Sequence, residues 1–176
     1  KELIGINLRM QEIYEIIDRM KYRSPNVLIQ GESGTGKALA ANVIHQSSDR
    51  AERPLITINC RSDLNDIPRD EISSQLVEMF QSAEGATLYL EEITDIPPHV
   101  QDEILRALKR KDENVFDIRL IAATNRPLEE LRGKGMMRDD FFYRLCSDII
   151  TVPPLRQRIQ EDPAELDDLL IHTVDR

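Results

Sequence analysis

The run Gly31-Glu32-Ser33-Gly34-Thr35-Gly36-Lys37 constrains this chain more than any other stretch. The apolar residues Val27-Leu28-Ile29 precede it, and Ala38 to His45 follow with a helix-forming composition. Strand, glycine-rich turn and helix in that order carry the pattern G-x-x-x-x-G-K, a phosphate-binding loop. Its backbone N–H groups must close around phosphate oxygens, which glycine permits without Cβ clashes. The helix starting near Lys37 turns its partial positive end toward the same anion. Lys37 adds a full charge for the terminal phosphates. A glycine-rich heptapeptide alone is compatible with an ordinary turn, but the flanking strand and helix are the context the loop needs. Gly31 to Lys37, together with Ala38, therefore form the first candidate binding set, and the ligand it implies is a nucleoside triphosphate.

A chain of 176 residues has ample material for one core. The net charge of −9 argues against a broad nucleic-acid-binding surface, which needs clustered Lys and Arg. It does not exclude ATP, because the loop supplies its own local positive field. Cys60 and Cys146 are isolated thiols without metal-type spacing and imply a reducing, cytoplasmic setting. No apolar run approaches membrane length, so no membrane association is expected. The start at Lys1 without Met reads as a segment of something longer.

Helical and extended patterns alternate along the chain. Leu8 to Arg23 reads as an amphipathic helix through Ile13, Ile16, Ile17 and Met20, stopped by Ser24-Pro25. Strands are expected at 26–30, 55–59, 86–90, 118–123 and 148–152. Helices are expected at 37–47, 70–83, 98–111, 128–132, 139–145 and from Pro163 to Val174. The helix at 98–111 opens on proline, which suits a first helical position. Strands alternating with helices imply an α/β fold with a five-stranded parallel sheet covered on both faces, a three-layer α/β/α arrangement.

A second chemical site follows the third strand. Leu88-Tyr89-Leu90-Glu91-Glu92 puts two carboxylates at a strand's C-terminal end, where open α/β sheets bind ligands. Beside a bound triphosphate, Glu91 is a candidate for holding Mg²⁺ and Glu92 for polarising the attacking water. A solvated strand end is the plainer alternative. Thr124 and Asn125 end the next strand at the same edge, where an amide could orient water or serve only as turn chemistry. Arg138 and Arg144 bracket Asp139-Asp140-Phe141-Phe142-Tyr143. They fit either surface ion pairs or fingers reaching a neighbouring subunit's nucleotide.

These segments together resemble the AAA+ domain of sigma-54-dependent transcription activators, the bacterial enhancer-binding proteins. The likeness runs nearly end to end: Leu3-Ile4-Gly5 with Met10, GESGTGK, Ile44-His45, Asn59-Cys60, GATLYLEEI, AATN at 122–125, MRDDFFYRL at 137–145 and PPLRQR at 153–158. The resemblance implies a P-loop NTPase core over residues 1–154, with 155–176 as the beginning of a helical lid. It implies ATP or ADP with Mg²⁺ as ligands, and places Ile4 and Gly5 at the nucleotide. It makes Glu91-Glu92 the Walker B pair and Asn59 the residue that restrains the catalytic glutamate. It makes Thr124 and Asn125 the sensor, and Arg138 and Arg144 paired fingers acting in trans within a ring, usually a hexamer. The family uses ATP to remodel the closed complex of sigma-54 RNA polymerase, and its DNA-binding and sensing domains are separate from this segment.

The departures are as informative. Glu91 stands where the family has Asp, and its extra methylene moves the carboxylate by about 1.5 Å, a scale to which catalysis is sensitive. Ala38 stands where the family has Glu and many P-loop proteins have Ser or Thr for the metal. Nucleotide binding is expected to survive, while the hydrolysis rate stays open. Between Asn59 and Glu91 the family inserts a loop bearing G-A-F-T-G-A, which touches sigma-54. Here Leu76 to Gly85 runs straight into the strand, and a second insert is trimmed to residues 111–116. The expected activity is therefore ATP hydrolysis in an oligomeric ring of a transcription regulator, without the usual contact to sigma-54. The alternative is a non-hydrolysing ATP-binding switch. A general AAA+ remodeller is disfavoured by the stretches at 137–158.

Overall fold

β1 (Val27–Gln30), β3 (Thr87–Glu91) and β4 (Arg119–Thr124) are buried almost throughout, which only a sheet covered on both sides accommodates. The computed structural model describes residues 5–21, 25–64, 67–112, 117–127, 130, 133, 137–145 and 147–174. In it these strands are the middle of a five-stranded parallel sheet. β2 (Leu55–Asn59) and β5 (Asp148–Thr151) form the edges, giving the order β2-β3-β4-β1-β5.

Alternation along each strand sorts the core into two layers. Leu28, Leu88, Leu90, Leu120 and Ala122 pack with α4 (Ile72–Ser82), α5 (Pro98–Asp112) and α6 (Asp139–Leu145) on one face. Val27, Ile29, Tyr89, Ile121, Ala123 and Ile150 pack with α1 (Leu8–Met20) and α2 (Lys37–Gln46) on the other. The three-layer arrangement expected from the alternating pattern is what forms. Each strand and long helix within the described residues lies where the sequence places it, with ends moved by a few residues. The first helix stops at Met20 rather than Arg23.

Three short elements have no periodicity to announce them. α3 (Cys60–Asp63) forms because Asn59 caps it, its Oδ1 accepting from the N–H groups of Arg61 and Ser62 at 3.1 Å each. A 3₁₀ turn spans Ile93–Asp95, and α7 (Leu155–Glu161) follows Pro153-Pro154, ahead of α8 (Ala164–Val174). Most of the helix expected at 128–132, residues 113–116 of the shortened insert at 111–116, Ile4 and Cys146 lie outside the described residues.

Register brings the candidate residues to one edge. Gln30 pairs with Thr124, Leu90 with Ala122, and Asn59 with Glu91. Four adjacent strands thus end side by side, and the loops leaving them carry the chemistry.

The opposite end of α2 is fixed by His45, buried with Nε2 3.0 Å from the Arg53 carbonyl and Nδ1 3.0 Å from the Thr87 hydroxyl. A carbonyl can only accept, so Nε2 carries the proton and Nδ1 accepts from Thr87. Burial pulls the imidazole's pKa below its ordinary 6.5, the Arg53 carbonyl opposes this, and nearby Arg119 lowers it further. A lowered folded pKa gives stability that is full above the unfolded value and lost as pH falls through the folded one. The melting temperature is therefore expected to fall between pH 7 and 5, with a flatter slope in His45→Gln. Equal slopes for the two proteins would show that His45 is not the group responsible.

Candidate functional site

The loop after β1 is anchored by backbone contacts and opened by its glycines. Gly31 N–H donates to the Thr124 carbonyl at 3.1 Å, and a Cβ on Gly31 would lie 2.8 Å from both Thr35 Oγ1 and the Val152 carbonyl. Gly34 and Gly36 have φ of 81° and 95°, the left-handed region that side chains other than glycine's rarely adopt. Space around Gly34 is open on the side where its Cβ would point. Gly36 caps α2 without a side-chain hydrogen bond, leaving the first-turn N–H groups for an anion.

Lys37 is the cation of the site. It is buried to 9% exposure, and its Nζ donates to the carbonyls of Gly31 at 2.9 Å and Glu32 at 3.1 Å. Glu92 Oε1 lies 3.9 Å from the same nitrogen. Glu92 is also the one non-glycine residue with positive φ among those described, at φ 52° and ψ 51°. Such a conformation costs on the order of 1 kcal/mol or more and persists only where surroundings enforce it. Its Oε2 is buried without a hydrogen-bond partner. A solvated strand end requires neither a strained backbone nor a buried, unsatisfied carboxylate oxygen beside a lysine. Glu91, last residue of β3, lines the same cleft with Ser33, Ala38, Tyr89 and Ala123. Burial pushes the Tyr89 phenol's pKa up, and the charges of Glu91 and Glu92 push it further.

This lobe measures about 340 Å³. A second lobe of about 420 Å³ lies on the other side of the loop, lined by Leu39, Pro154, Leu155, Arg156, Arg158 and Leu169. Arg156 spans it to the loop, donating Nη1 to Glu32 Oε2 at 2.6 Å in a bidentate pair. Lys37, Glu91 and Glu92 line the first lobe, while Leu39, Pro154, Leu155 and Leu169 give the second an apolar wall beside Glu32, Arg156 and Arg158, which suits a phosphorylated ligand with a flat organic end. Among the described residues no group of three or more His, Cys, Asp or Glu could hold a metal alone. A hard divalent cation here would be held by one or two carboxylates plus ligand phosphates, as Mg²⁺ commonly is, and Glu91 with the orphaned Glu92 oxygen fits that need.

The other expected residues are spread more widely. Asn59 stands beside Glu91 in the sheet, but its side chain is engaged in capping α3 rather than in tethering Glu92. Thr124 is fully buried, its hydroxyl engaged with the backbone of Arg126, and Asn125 is exposed. Arg138 pairs with Asp140 at 2.9 Å and with Asp102, while Arg144 donates to the Leu108 carbonyl at 3.4 Å. Neither arginine lines either lobe. Gly5 packs against Arg158 and Glu165. Burial pushes the Cys60 thiol up to about 12, which leaves it chemically inert beside the site. Sequence reasoning missed Tyr89, Leu39, Arg156, Arg158 and Leu169. The first is hidden in an apolar run, and the arginines sit in the PPLRQR stretch, whose sequence carries the resemblance but no chemistry of its own.

Comparisons with known proteins agree with this architecture. A family model described as the Sigma-54 interaction domain matches residues 3–151. NtrC of Azospirillum brasilense is 37% identical, over 92% of this chain and 37% of its own length. The nitrogen fixation protein AnfA of Azotobacter vinelandii is 39% identical, over 89% of this chain and 33% of its own. The chain thus spans about a third of the length of these relatives. NtrX of Brucella abortus, solved in complex with ADP, superimposes with a TM-score of 0.77 at 31% identity, over 93% of this chain and 40% of that one. The P-loop NTPase domain of a sigma-54 activator from E. coli shares the fold at a TM-score of 0.65 and 19% identity, over 86% of this chain and 99% of that one. Among the described residues no helix is long and apolar enough to cross a membrane. With the sheet order, the phosphate loop and these relatives in agreement, the chain belongs to the Sigma-54 interaction domain family, the AAA+ module of NtrC-like transcription regulators.

Proposed function

We propose that this chain binds ATP at the loop 31–38 and hydrolyses it within a ring of like subunits, as the motor of a transcription regulator. Glu92 is the observation that carries the reading. Its carboxylate is held by a strained backbone, with one oxygen unpartnered and the other near Lys37. A carboxylate so placed accepts a proton from a water lined up on the terminal phosphate. Lys37 holds that phosphate, the loop amides hold the others, and the apolar lobe takes the base. Mg²⁺ would neutralise charge developing on the phosphates, with Glu91 as its protein ligand. The adenine nucleotides in the Brucella abortus NtrX structures support ATP over other triphosphates. Asn59 would restrain Glu92 by donating from Nδ2, the end of its amide that the α3 cap does not use, and Thr124 and Asn125 would report on the phosphate. Arg138 and Arg144 would complete a neighbour's site.

The chain is also proposed to lack the usual contact to sigma-54. Its alignment with Azospirillum brasilense NtrC extends over 184 residues although this chain has 176, so the relative carries residues absent here. That supports reading the direct run from Leu76 to Gly85 as a deletion of the contacting loop. A second reading, a non-hydrolysing ATP switch, is favoured by Ala38, which lines the metal side of the cleft with no oxygen to offer.

An ATPase titration separates the two. Turnover per subunit should rise with protein concentration and with Mg²⁺, and Glu91→Asp should raise it about tenfold by restoring carboxylate placement. Tight ATP binding with no turnover in either protein would establish the switch instead. Sigma-54 added to the same reaction should neither change turnover nor join a nucleotide-dependent complex. Formation of such a complex would overturn the loss of contact.

A further inference from the structure

Behind the apolar lobe, the start of the chain is strapped to α7 and α8 by a single buried carboxylate. Glu165 is fully buried. Its Oε2 accepts from the backbone N–H of Ile6 at 2.8 Å and of Asn7 at 2.9 Å. Its Oε1 accepts from Arg158 Nε at 2.6 Å and from Nη2 of the same guanidinium. Two further links reinforce the strap. Asn7 Nδ2 donates to the Arg158 carbonyl and to Glu161, each at 3.4 Å, and Arg9 pairs with Glu161 at 2.9 Å. Gly5 leaves no spare room, because a Cβ there would lie 2.7 Å from Glu165 and Met10 and closer still to Arg158.

Arg158 is at once Glu165's partner and part of the wall of the apolar lobe, beside Leu39, Pro154, Leu155 and Leu169. A planar guanidinium fixed against a leucine-lined slot is a surface for a flat heteroaromatic ring, which Arg meets by stacking. The orientation of that plane is not left to solvent. Both Nε and Nη2 are committed to Glu165, and both Glu165 oxygens are in use. Every acceptor in this strap faces a donor, so exchanging one oxygen for an amide puts donor against donor.

We propose that Glu165 is a positioning residue for base selection: by holding Arg158 and the Gly5–Asn7 backbone in one geometry, it shapes the lobe that receives the nucleotide base. This rests on the ATP-binding reading above. Glu165 touches no ligand itself. Its loss should weaken recognition of a purine while leaving the phosphate loop, to which Glu165 makes no hydrogen bond, as it was.

The experiment is calorimetric binding of ATP and of UTP to the wild-type chain, Glu165→Gln and Gly5→Ala, with thermal unfolding of each. Wild type should prefer ATP to UTP. In both variants ATP affinity should fall about tenfold, the size of effect a reshaped pocket contact carries, while UTP affinity stays within about twofold. General destabilisation would weaken both ligands alike and leave the ratio unmoved. If Glu165→Gln does not fold, Gly5→Ala decides, since it disturbs the same strap by one methyl. A preference for ATP that survives in the folded variants, or a wild type that binds both equally, overturns the proposal. A wild type that binds neither nucleotide is the separate failure of the ATP-binding reading, and this proposal falls with it.

Discussion

Glu92→Gln is expected to bind ATP about as tightly as the wild-type chain and to lose turnover by about a thousandfold. The amide keeps the side chain's size and fills the same space beside Lys37, so ground-state binding through the loop amides and Lys37 is retained. It cannot take a proton from the attacking water, so only the step that needs a base fails. Lys37→Ala should separate in the opposite sense. It removes the cation whose Nζ bridges the Gly31 and Glu32 carbonyls and faces Glu92, so the loop loses both its charge and an internal tie. ATP affinity itself should then collapse. Nucleotide binding by titration, together with phosphate release over time, distinguishes the two losses. Glu92→Gln turning over at the wild-type rate would remove Glu92 from the mechanism and leave its left-handed backbone without a functional account.

The contrast between these residues also shows which parts of the site a sequence can display. Gly31 to Lys37 is legible because its chemistry is local: the turn needs glycines at 34 and 36, and the structure gives both positive φ. The sheet is legible because two-sided burial leaves no polar position in Val27-Leu28-Ile29 or Leu120 to Ala123. Glu91 and Glu92 are legible as a pair of acids at a strand end, but not the difference between their conformations. That follows from the chain reversing into the 3₁₀ turn at Ile93, which throws Glu92 into a left-handed conformation and buries one of its oxygens.

What stays hidden is whatever depends on distant segments meeting. Glu165 reads as an ordinary acid in a helix, and its function as the clasp of residues 5–7 depends on contacts more than 150 positions away. Arg119 reads as a polar interruption of a strand. It is buried beneath α2, donating to the carbonyls of Pro25 and Ile44. Asn59 shows the same limit from the other side. Resemblance points it at the glutamate, while in this structure the local demand of a helix start takes its oxygen. The cap engages only the acceptor end of the amide, so Nδ2, the end that can donate to a carboxylate, is not used by it.

Arg138→Ala should cost little stability and about a thousandfold in turnover, and the pairing of those two outcomes is what makes it diagnostic. Within one subunit Arg138 is a half-exposed side chain held by Asp140 and Asp102, whose hydrogen bonds and charges raise its pKa and keep it cationic. Exposed pairs of this kind contribute little to folding, so the variant's melting temperature should sit close to the wild type's. As a cation supplied to a neighbour's phosphates, the same side chain would leave Asp102 and Asp140 for a far stronger partner, and its loss would fall on the transition state. A mixing experiment fixes the geometry. Arg138→Ala and Glu92→Gln subunits are each inactive alone, but in a mixed ring an intact Glu92 on one subunit meets an intact Arg138 on the next. With random assembly about a quarter of the interfaces are so composed, and activity should return in that proportion. Recovery on mixing would place Arg138 in trans. Two inactive proteins that stay inactive together, in rings shown to exchange subunits, would return Arg138 to the surface ion pair that its carboxylate neighbours already describe.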